Sequence, residues 1–352
     1  MVKYCRTTLK ITIFIIRGDF MSDFKLPIIK NPPHKAFQEP AFFLGILLVN
    51  PEYINEFYNE YINLKFELRS NRLYMCYPKY NWYTYDNCDC DVESIVIKAN
   101  PFIIDNQNPY AHLIKLMRNK IEEGYFVEGF CDEYYISKKP NYNISHNSHD
   151  YLLYGYNDEK QYFIALGYTN KGIYEEYIIP YKEMYDSIIW RNENKLLNNH
   201  GLAKYEFIKA KKDKNYKSDL TRIKSELNNF LTSKSLTADS WLYGIDAYNA
   251  FYNNLPDIFD VRCLRLLMEH KKIMYSRINY LMENFNISLE TLKHRYKEVV
   301  NLSEIMFNMS LKYRILGDID IKLRVKEIIK KMIDLEIPLL IELHDSIERN
   351  VE

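Results

Sequence analysis

The pattern of hydrophobic and polar positions changes character near residue 195. Between residues 92 and 190, short apolar runs alternate with turn residues, which is typical of strands. The runs "ESIVIKA", "YFVEGFCDEYYI", "DYLLYGY" and "QYFIALGY" are strand-like, and "NDEK" joins the last two into a predicted β-hairpin over 149–168. The segment "PYAHLIKLMRNKIEEG" has helical spacing and predicts a helix that ends at Gly124. The pattern indicates a mixed α+β region with a partly antiparallel sheet.

The chain beyond this change reads as helical. Four long segments after residue 217 carry apolar stripes at helical period opposite charged faces. Ser218 and Ser288 stand at expected N-cap positions. We therefore expect an α+β domain over 30–195 and an all-α helical domain over 200–352. A boundary within "NYKSDLTRIKSEL" is an alternative to the one near 195.

Residues 1–29 form a predicted N-terminal extension of uncertain status. Its apolar stretch "ITIFII" is shorter than a signal-peptide core and far shorter than a membrane span. Translation starting at Met21 is an alternative to a targeting segment.

Composition and charge exclude several classes of function. Lys+Arg and Asp+Glu number 47 each, so the formal net charge is zero and nothing predicts general binding to nucleic acid or anionic lipid. Glycine is scarce and neither common nucleotide-binding glycine motif occurs, so we expect no cofactor of that kind. The six irregularly spaced cysteines fit a reducing compartment, and we expect a cytoplasmic, non-membrane protein. Cys88 and Cys90 form a CxC pair without a second ligand pair nearby, so no metal site is predicted.

An ordered set of features runs through "GYFVEGFCDEYYISKKPNYNISHNSHDYLLYGYNDEKQYFIALGY". The features are Asp132 with Tyr134 and Tyr135, then Pro140 and Tyr142, then His149, and finally the turn at Tyr154–Asp158. This order resembles the papain-like N-terminal domain of the butirosin biosynthesis protein H family, which is related to C39 cysteine peptidases. The resemblance extends over most of the chain from about residue 30.

The resemblance implies a papain-like fold and a thiol enzyme of natural-product biosynthesis. Such enzymes transfer acyl or aminoacyl groups, or form amides, on intermediates tethered to an acyl- or peptidyl-carrier protein. A cysteine at a helix N-terminus acts with a histidine, and a third polar group orients the imidazole. His149 stands at the position of the family's catalytic histidine.

Two positions of the family's triad are changed in this chain. The nucleophile belongs at the start of the first helix, but "HKAFQEPAFFLGILL" contains neither cysteine nor serine, and Gln38 or Glu39 is expected to fill its space. The orienting aspartate is replaced at about Gly167, which leaves Asp132 or Asn170 as alternative supporting groups.

Three cysteines are candidates for a relocated nucleophile: Cys131, Cys88 and Cys90. Cys131 lies on a predicted strand, where a buried core residue is the simpler interpretation. Cys88 and Cys90 lie among aspartates, which raise a thiol pKa and weaken the nucleophile. For His149, the simpler interpretation is a strand-edge histidine bonded to a backbone group. His146 is interpreted as a loop residue and His270 as a buried structural histidine.

Two classes of function follow. The first is a thiol enzyme that uses a relocated cysteine, either as an acyltransferase or amide-forming enzyme or as a peptidase-like hydrolase. The second is a binding protein that keeps the papain-like shell and the carrier-docking surface without thiol catalysis. The missing nucleophile favours the second class. The sequence predicts no particular oligomeric state.

Overall fold

A computed structural model describes residues 23–69, 72–78, 92–97, 108–193, 205–212, 214–236, 241–255 and 260–351. The strands are β1 Phe24–Lys25, β2 Lys65–Arg69, β3 Arg72–Cys76, β4 Val92–Ile97, β5 Phe126–Asp132, β6 Ser148–Asn157, β7 Tyr162–Tyr168, β8 Tyr174–Pro180, β9 Tyr205–Ala210 and β10 Leu242–Tyr243. The helices are α1 Gln38–Leu47, α2 Tyr53–Glu60, α3 Pro109–Glu122, α4 Tyr181–Glu193, α5 Leu220–Leu231, α6 Gly244–Asn254, α7 Val261–Phe285, α8 Glu290–Leu316 and α9 Ile319–Val351. The mixed α+β class with C-terminal helices is confirmed.

A large antiparallel sheet has the strand order β4-β9-β5-β6-β7-β8. The predicted hairpin is present as β6 and β7 and contains a register shift between Leu153 and Gly155. Beyond this irregularity, β1 pairs with the other edge of β6, opposite Gly155 and Tyr156. Gly155 permits this approach, because a Cβ atom there would lie 2.4 Å from the carbonyl oxygen of Phe24.

Helices cover both faces of this sheet, as the alternation of side chains along β6 shows. Tyr151 and Leu153 pack into a core with residues of α3 and α4. Leu152 and Tyr154 face the opposite way, into the core that contains α1 and the C-terminal helices. The sheet is therefore buried on two sides, and β6 lies at its centre.

The expectation of an all-α region over 200–352 is wrong at two places. Strand β9 lies inside the large sheet between β4 and β5, and β10 pairs with β2 in a small second sheet with β3. The run "YEFIKA" of β9 is short and flanked by polar residues, so its strand pattern is weak compared with the long helical patterns that follow it. Its sheet position shows that the boundary near 195 separates a strand from its neighbours.

The long C-terminal helices share one apolar core with α1 and α2. Helix α5 is capped by the Asp219 carboxylate, which accepts a hydrogen bond from the Arg222 backbone N–H, so the predicted cap at Ser218 is wrong by one residue. Leu289 occupies the N-cap position of α8, next to the predicted Ser288. Among the described helices, none has both the length and the apolar character required for crossing a membrane.

Candidate functional site

Helix α1 begins at Gln38, whose side chain points into the junction of β6 and β7. Its Nε2 donates a hydrogen bond to the backbone oxygen of Asp150 at 2.9 Å. Its Oε1 accepts a hydrogen bond from the backbone N–H of Tyr168 at 2.6 Å. The side chain is buried, since the residue is only 6% exposed. Gln38 therefore ties the start of the helix to both strands.

The two backbone groups that Gln38 contacts would otherwise face each other. The β6–β7 ladder ends with the pair Leu152–Leu166, and Asp150 and Tyr168 lie two residues further along each strand. The carboxamide lies between them and supplies one donor and one acceptor, as a peptide group would. This arrangement keeps the strands apart at this end without leaving either group unpaired.

Gly167 lies against the same carboxamide. A Cβ atom on Gly167 would lie 2.6 Å from Oε1 of Gln38, closer than real Cβ contacts come, and 3.0 Å from its Cδ. The backbone φ of Gly167 is +154°, which by itself strains a residue with a side chain. A larger residue at 167 and a glutamine at 38 therefore exclude each other in this geometry. The positions at which the resemblance implied a nucleophile and an orienting aspartate form one packed contact.

His149 is the second residue of β6 and lies beside two carboxylates. Its Nδ1 is 2.8 Å from Oδ1 of Asp150 and 3.7 Å from Oε1 of Glu133. The contact with Asp150 is an ion pair that lacks hydrogen-bond geometry at Nδ1. Burial lowers the pKa of His149, but the two carboxylates raise it more, so the net shift is upward. The side chain is 42% exposed.

Asp132 supports His146 rather than His149. Its fully buried carboxylate accepts hydrogen bonds from the backbone N–H groups of Tyr134 and Asn147 and lies 2.6 Å from Nδ1 of His146. The His146 ring stacks on Trp190 with centroids 3.5 Å apart and planes 2° apart. The sequence interpretation of His146 as a loop residue omitted this contact. No local motif reveals it, because 14 residues separate His146 from Asp132.

The other supporting candidates from the sequence are Asn170 and Glu39. Asn170 is exposed in the turn after β7, and its backbone N–H donates to the carbonyl oxygen of Lys138 at 2.8 Å. Glu39 is half-buried in the first turn of α1.

Lys139 was not predicted, yet its buried ammonium donates to the carbonyl oxygen of Tyr168 at 2.9 Å. Side chains thus satisfy both backbone groups of Tyr168.

Among the described cysteines, Cys131 matters for thiol catalysis because it lies beside His149. It is the direct cross-strand partner of His149 in the β5–β6 ladder. Its side chain is fully buried, and burial raises its pKa to about 12. Cys76 and Cys263 are buried as well. Cys88 and Cys90 lie outside the described residues.

One set of possible metal ligands occurs near the end of α9, within the described part of the chain. His344, Asp345 and Glu348 bring donor atoms within 4.8 Å of one another. Glu348 is also 3.0 Å from Nζ of Lys224, and Asp345 is exposed. The set is explained as part of the charged surface of the helix.

Comparisons of the chain with protein-family models and with curated proteins found no match.

Proposed function

We propose that this chain is a cytoplasmic papain-like protein that binds a carrier-protein-tethered acyl or aminoacyl intermediate in natural-product biosynthesis, without thiol catalysis of its own. The observation that carries the proposal is the Gln38 carboxamide at the start of α1, where the resemblance would place a thiolate. Its donor and acceptor are both used within the fold. A buried carboxamide is not a nucleophile.

The electrostatics at His149 support the same conclusion. A general base must be neutral to accept a proton from a thiol or from water. Asp150 and Glu133 raise the pKa of His149, which extends the pH range over which the imidazolium is present. A partly exposed imidazolium donates hydrogen bonds, which suits binding of an acyl carbonyl or a phosphate better than proton abstraction.

A second candidate function is thiol catalysis through Cys131. The pairing of Cys131 with His149 across β5 and β6 favours this alternative, because directly opposed side chains in an antiparallel pair are close neighbours. Burial opposes it, because a thiol with a pKa of about 12 is almost entirely protonated at neutral pH. The binding function is therefore better supported.

Covalent labelling separates the two candidates. We expect iodoacetamide at pH 6 to label no cysteine of the native protein unusually fast, Cys88 and Cys90 included. Incubation with an acyl-loaded carrier protein should give reversible binding by fluorescence titration and no acyl adduct in the intact mass. His149→Ala should weaken binding and leave the mass unchanged.

Cys131→Ser is the matched control, since it removes the thiol beside His149 and keeps a small side chain. An acyl adduct that disappears in Cys131→Ser and in His149→Ala would establish the enzyme and overturn the binding proposal. Loss of the adduct in Cys88→Ser or Cys90→Ser would assign the nucleophile to the CxC pair. The absence of both binding and adduct formation would overturn both candidates.

A further inference from the structure

The turn between α8 and α9 exposes a concentration of aliphatic side chains. We define the hairpin tip as residues 311–323. Ile315 is 82% exposed, and the other four members are between 38% and 59% exposed: Leu311, Leu316, Ile319 and Leu323. Scattered exposed aliphatic residues are ordinary, but five within the thirteen residues of the hairpin tip indicate an interaction site.

The backbone of the hairpin tip is well defined by its own hydrogen bonds. Gly317 has a left-handed conformation with φ of 66°, and its N–H donates to the carbonyl oxygen of Tyr313. The Asp318 carboxylate accepts a hydrogen bond from the backbone N–H of Asp320 at 2.9 Å. The buried faces of α8 and α9 use other residues, such as Met306 and Val325. The tip aliphatics are therefore held outward on a defined turn.

The charge around the hairpin tip is positive, although the whole chain is neutral. Within residues 311–327, five basic residues outnumber three acidic ones: Lys312, Arg314, Lys322, Arg324 and Lys326 against Asp318, Asp320 and Glu327. Lys312, Arg314 and Arg324 are exposed. An apolar centre with a basic rim is complementary to a partner with an apolar centre and an acidic rim.

We propose that the hairpin tip is a docking surface for an acidic helical protein, and, resting on the proposed function, that this partner is the carrier protein. An amphipathic helix with acidic flanks would set its apolar face on the tip aliphatics and its carboxylates beside Lys312 and Arg314. This assigns docking of the carrier's folded domain to the helical hairpin, whereas the proposed function assigns the tethered acyl group to His149.

Two other occupants fit less well. A second copy of this chain would bring two positively charged tips together, which like-charge repulsion opposes. Insertion into a lipid surface would bury the carboxylate of Asp318, which lies at the apex between Leu316 and Ile319. An acidic protein avoids both costs.

The test uses the full chain and a purified bacterial holo-acyl carrier protein as the acidic helical probe. We expect Ile315→Ser with Leu316→Ser to weaken binding at least tenfold, as loss of a central contact does. Lys312→Glu with Arg314→Glu should weaken it similarly and flatten its salt dependence. Ile341→Ser is the matched control, because Ile341 is an exposed aliphatic residue on α9 away from the tip.

The outcomes separate this inference from the proposed function. Unchanged affinity in both tip variants would overturn the docking surface while carrier binding stands. Absence of binding by the wild-type chain would overturn both. A wild-type dimer in light scattering that the tip variants abolish would assign the surface to self-association. Binding of the wild type to anionic vesicles that the tip variants abolish would assign it to lipid. Either result would overturn the proposal of an acidic protein partner. Because all substituted positions are exposed, circular dichroism should show wild-type folding in each variant.

Discussion

The carboxamide oxygen of Gln38 lies 2.6 Å from the point that a Cβ atom on Gly167 would occupy. The residues are far apart in sequence, yet each limits what the other position can hold. A side chain at 167, such as the aspartate that the family resemblance implies, needs a different residue at 38. Positions 38 and 167 are therefore coupled through one packed contact.

Gly167→Ala tests this contact. We expect it to lower the free energy of unfolding by about 2 kcal/mol or more, because the new Cβ overlaps a buried carboxamide. In a Gln38→Ala background, which removes the carboxamide, the same substitution should cost clearly less. Urea unfolding of the four proteins in this double-mutant cycle measures the coupling.

Gly172→Ala is a control for a side chain added at a positive φ without a close neighbour, since φ is +154° at Gly167 and +70° at Gly172. A Cβ on Gly172 would meet nothing within 4 Å, although its φ is +70°. It should cost about 1 kcal/mol, whatever residue stands at 38. If Gly167→Ala and Gln38→Ala instead prove additive, the packed contact does not limit position 167.

Gln38→Glu should make stability depend on pH. The substitution replaces the Nε2 donor with an oxygen that faces the Asp150 carbonyl, and only a protonated carboxyl restores the donor. The folded protein should therefore raise the pKa of the new carboxyl. A raised pKa contributes stability that is complete below the unfolded value, about 4.3, and is lost as pH rises through the folded value.

Denaturant unfolding of Gln38→Glu between pH 4 and pH 8 measures this effect. The deficit relative to wild type should be about 2–3 kcal/mol at pH 8 and smaller at pH 4. Gln38→Ala has no titratable group, and its deficit should stay constant over the same range. A Gln38→Glu deficit that does not change with pH would mean that water, rather than the glutamine, satisfies these backbone groups.

The pKa of His149 should lie above the ordinary histidine value of about 6.5. Nuclear magnetic resonance titration of labelled histidines measures it directly. Asp150→Asn should lower the pKa of His149, because it removes the carboxylate at 2.8 Å, and Glu133→Gln should lower it less, because that carboxylate is at 3.7 Å. A His149 that titrates below 6.5, or is insensitive to Asp150→Asn, would be free to act as a base and would revive the enzyme alternative.

Local periodicity predicted the elements that have strong patterns of their own. The hairpin β6–β7, strand β5 and helix α3 lie where the sequence placed them. Gln38 was expected to fill the space of the nucleophile, but its partners Asp150 and Tyr168 are 112 and 130 residues away, so only the tertiary fold reveals the hydrogen bonds. The same holds for Asp132, which was expected to support His149 and instead holds His146 through the loop after β5.

His270 provides a test of the buried C-terminal core. The residue is fully buried; its Nε2 donates to the carbonyl oxygen of Ile62 at 2.7 Å, and its Nδ1 lies 2.9 Å from the ammonium of Lys271. That ammonium also pairs with Glu336 at 2.7 Å, so a proton on Nδ1 would place two cations in contact. Burial, opposed by the Glu336 charge, lowers the pKa of His270 to about 4.

Acidification should therefore destabilise the protein through His270. A depressed histidine pKa contributes stability that is present above the unfolded value of about 6.5 and is lost as pH falls toward the folded value of about 4. The expected loss between pH 8 and pH 5 is roughly 2 kcal/mol from this group. His270→Gln keeps a donor and an acceptor but does not titrate, so its unfolding free energy should fall less over this range. His149 titrates in both proteins, so its opposite contribution cancels in the difference between their unfolding free energies. If urea unfolding gave both proteins the same dependence on pH, His270 would accept a proton inside the fold, contrary to this prediction.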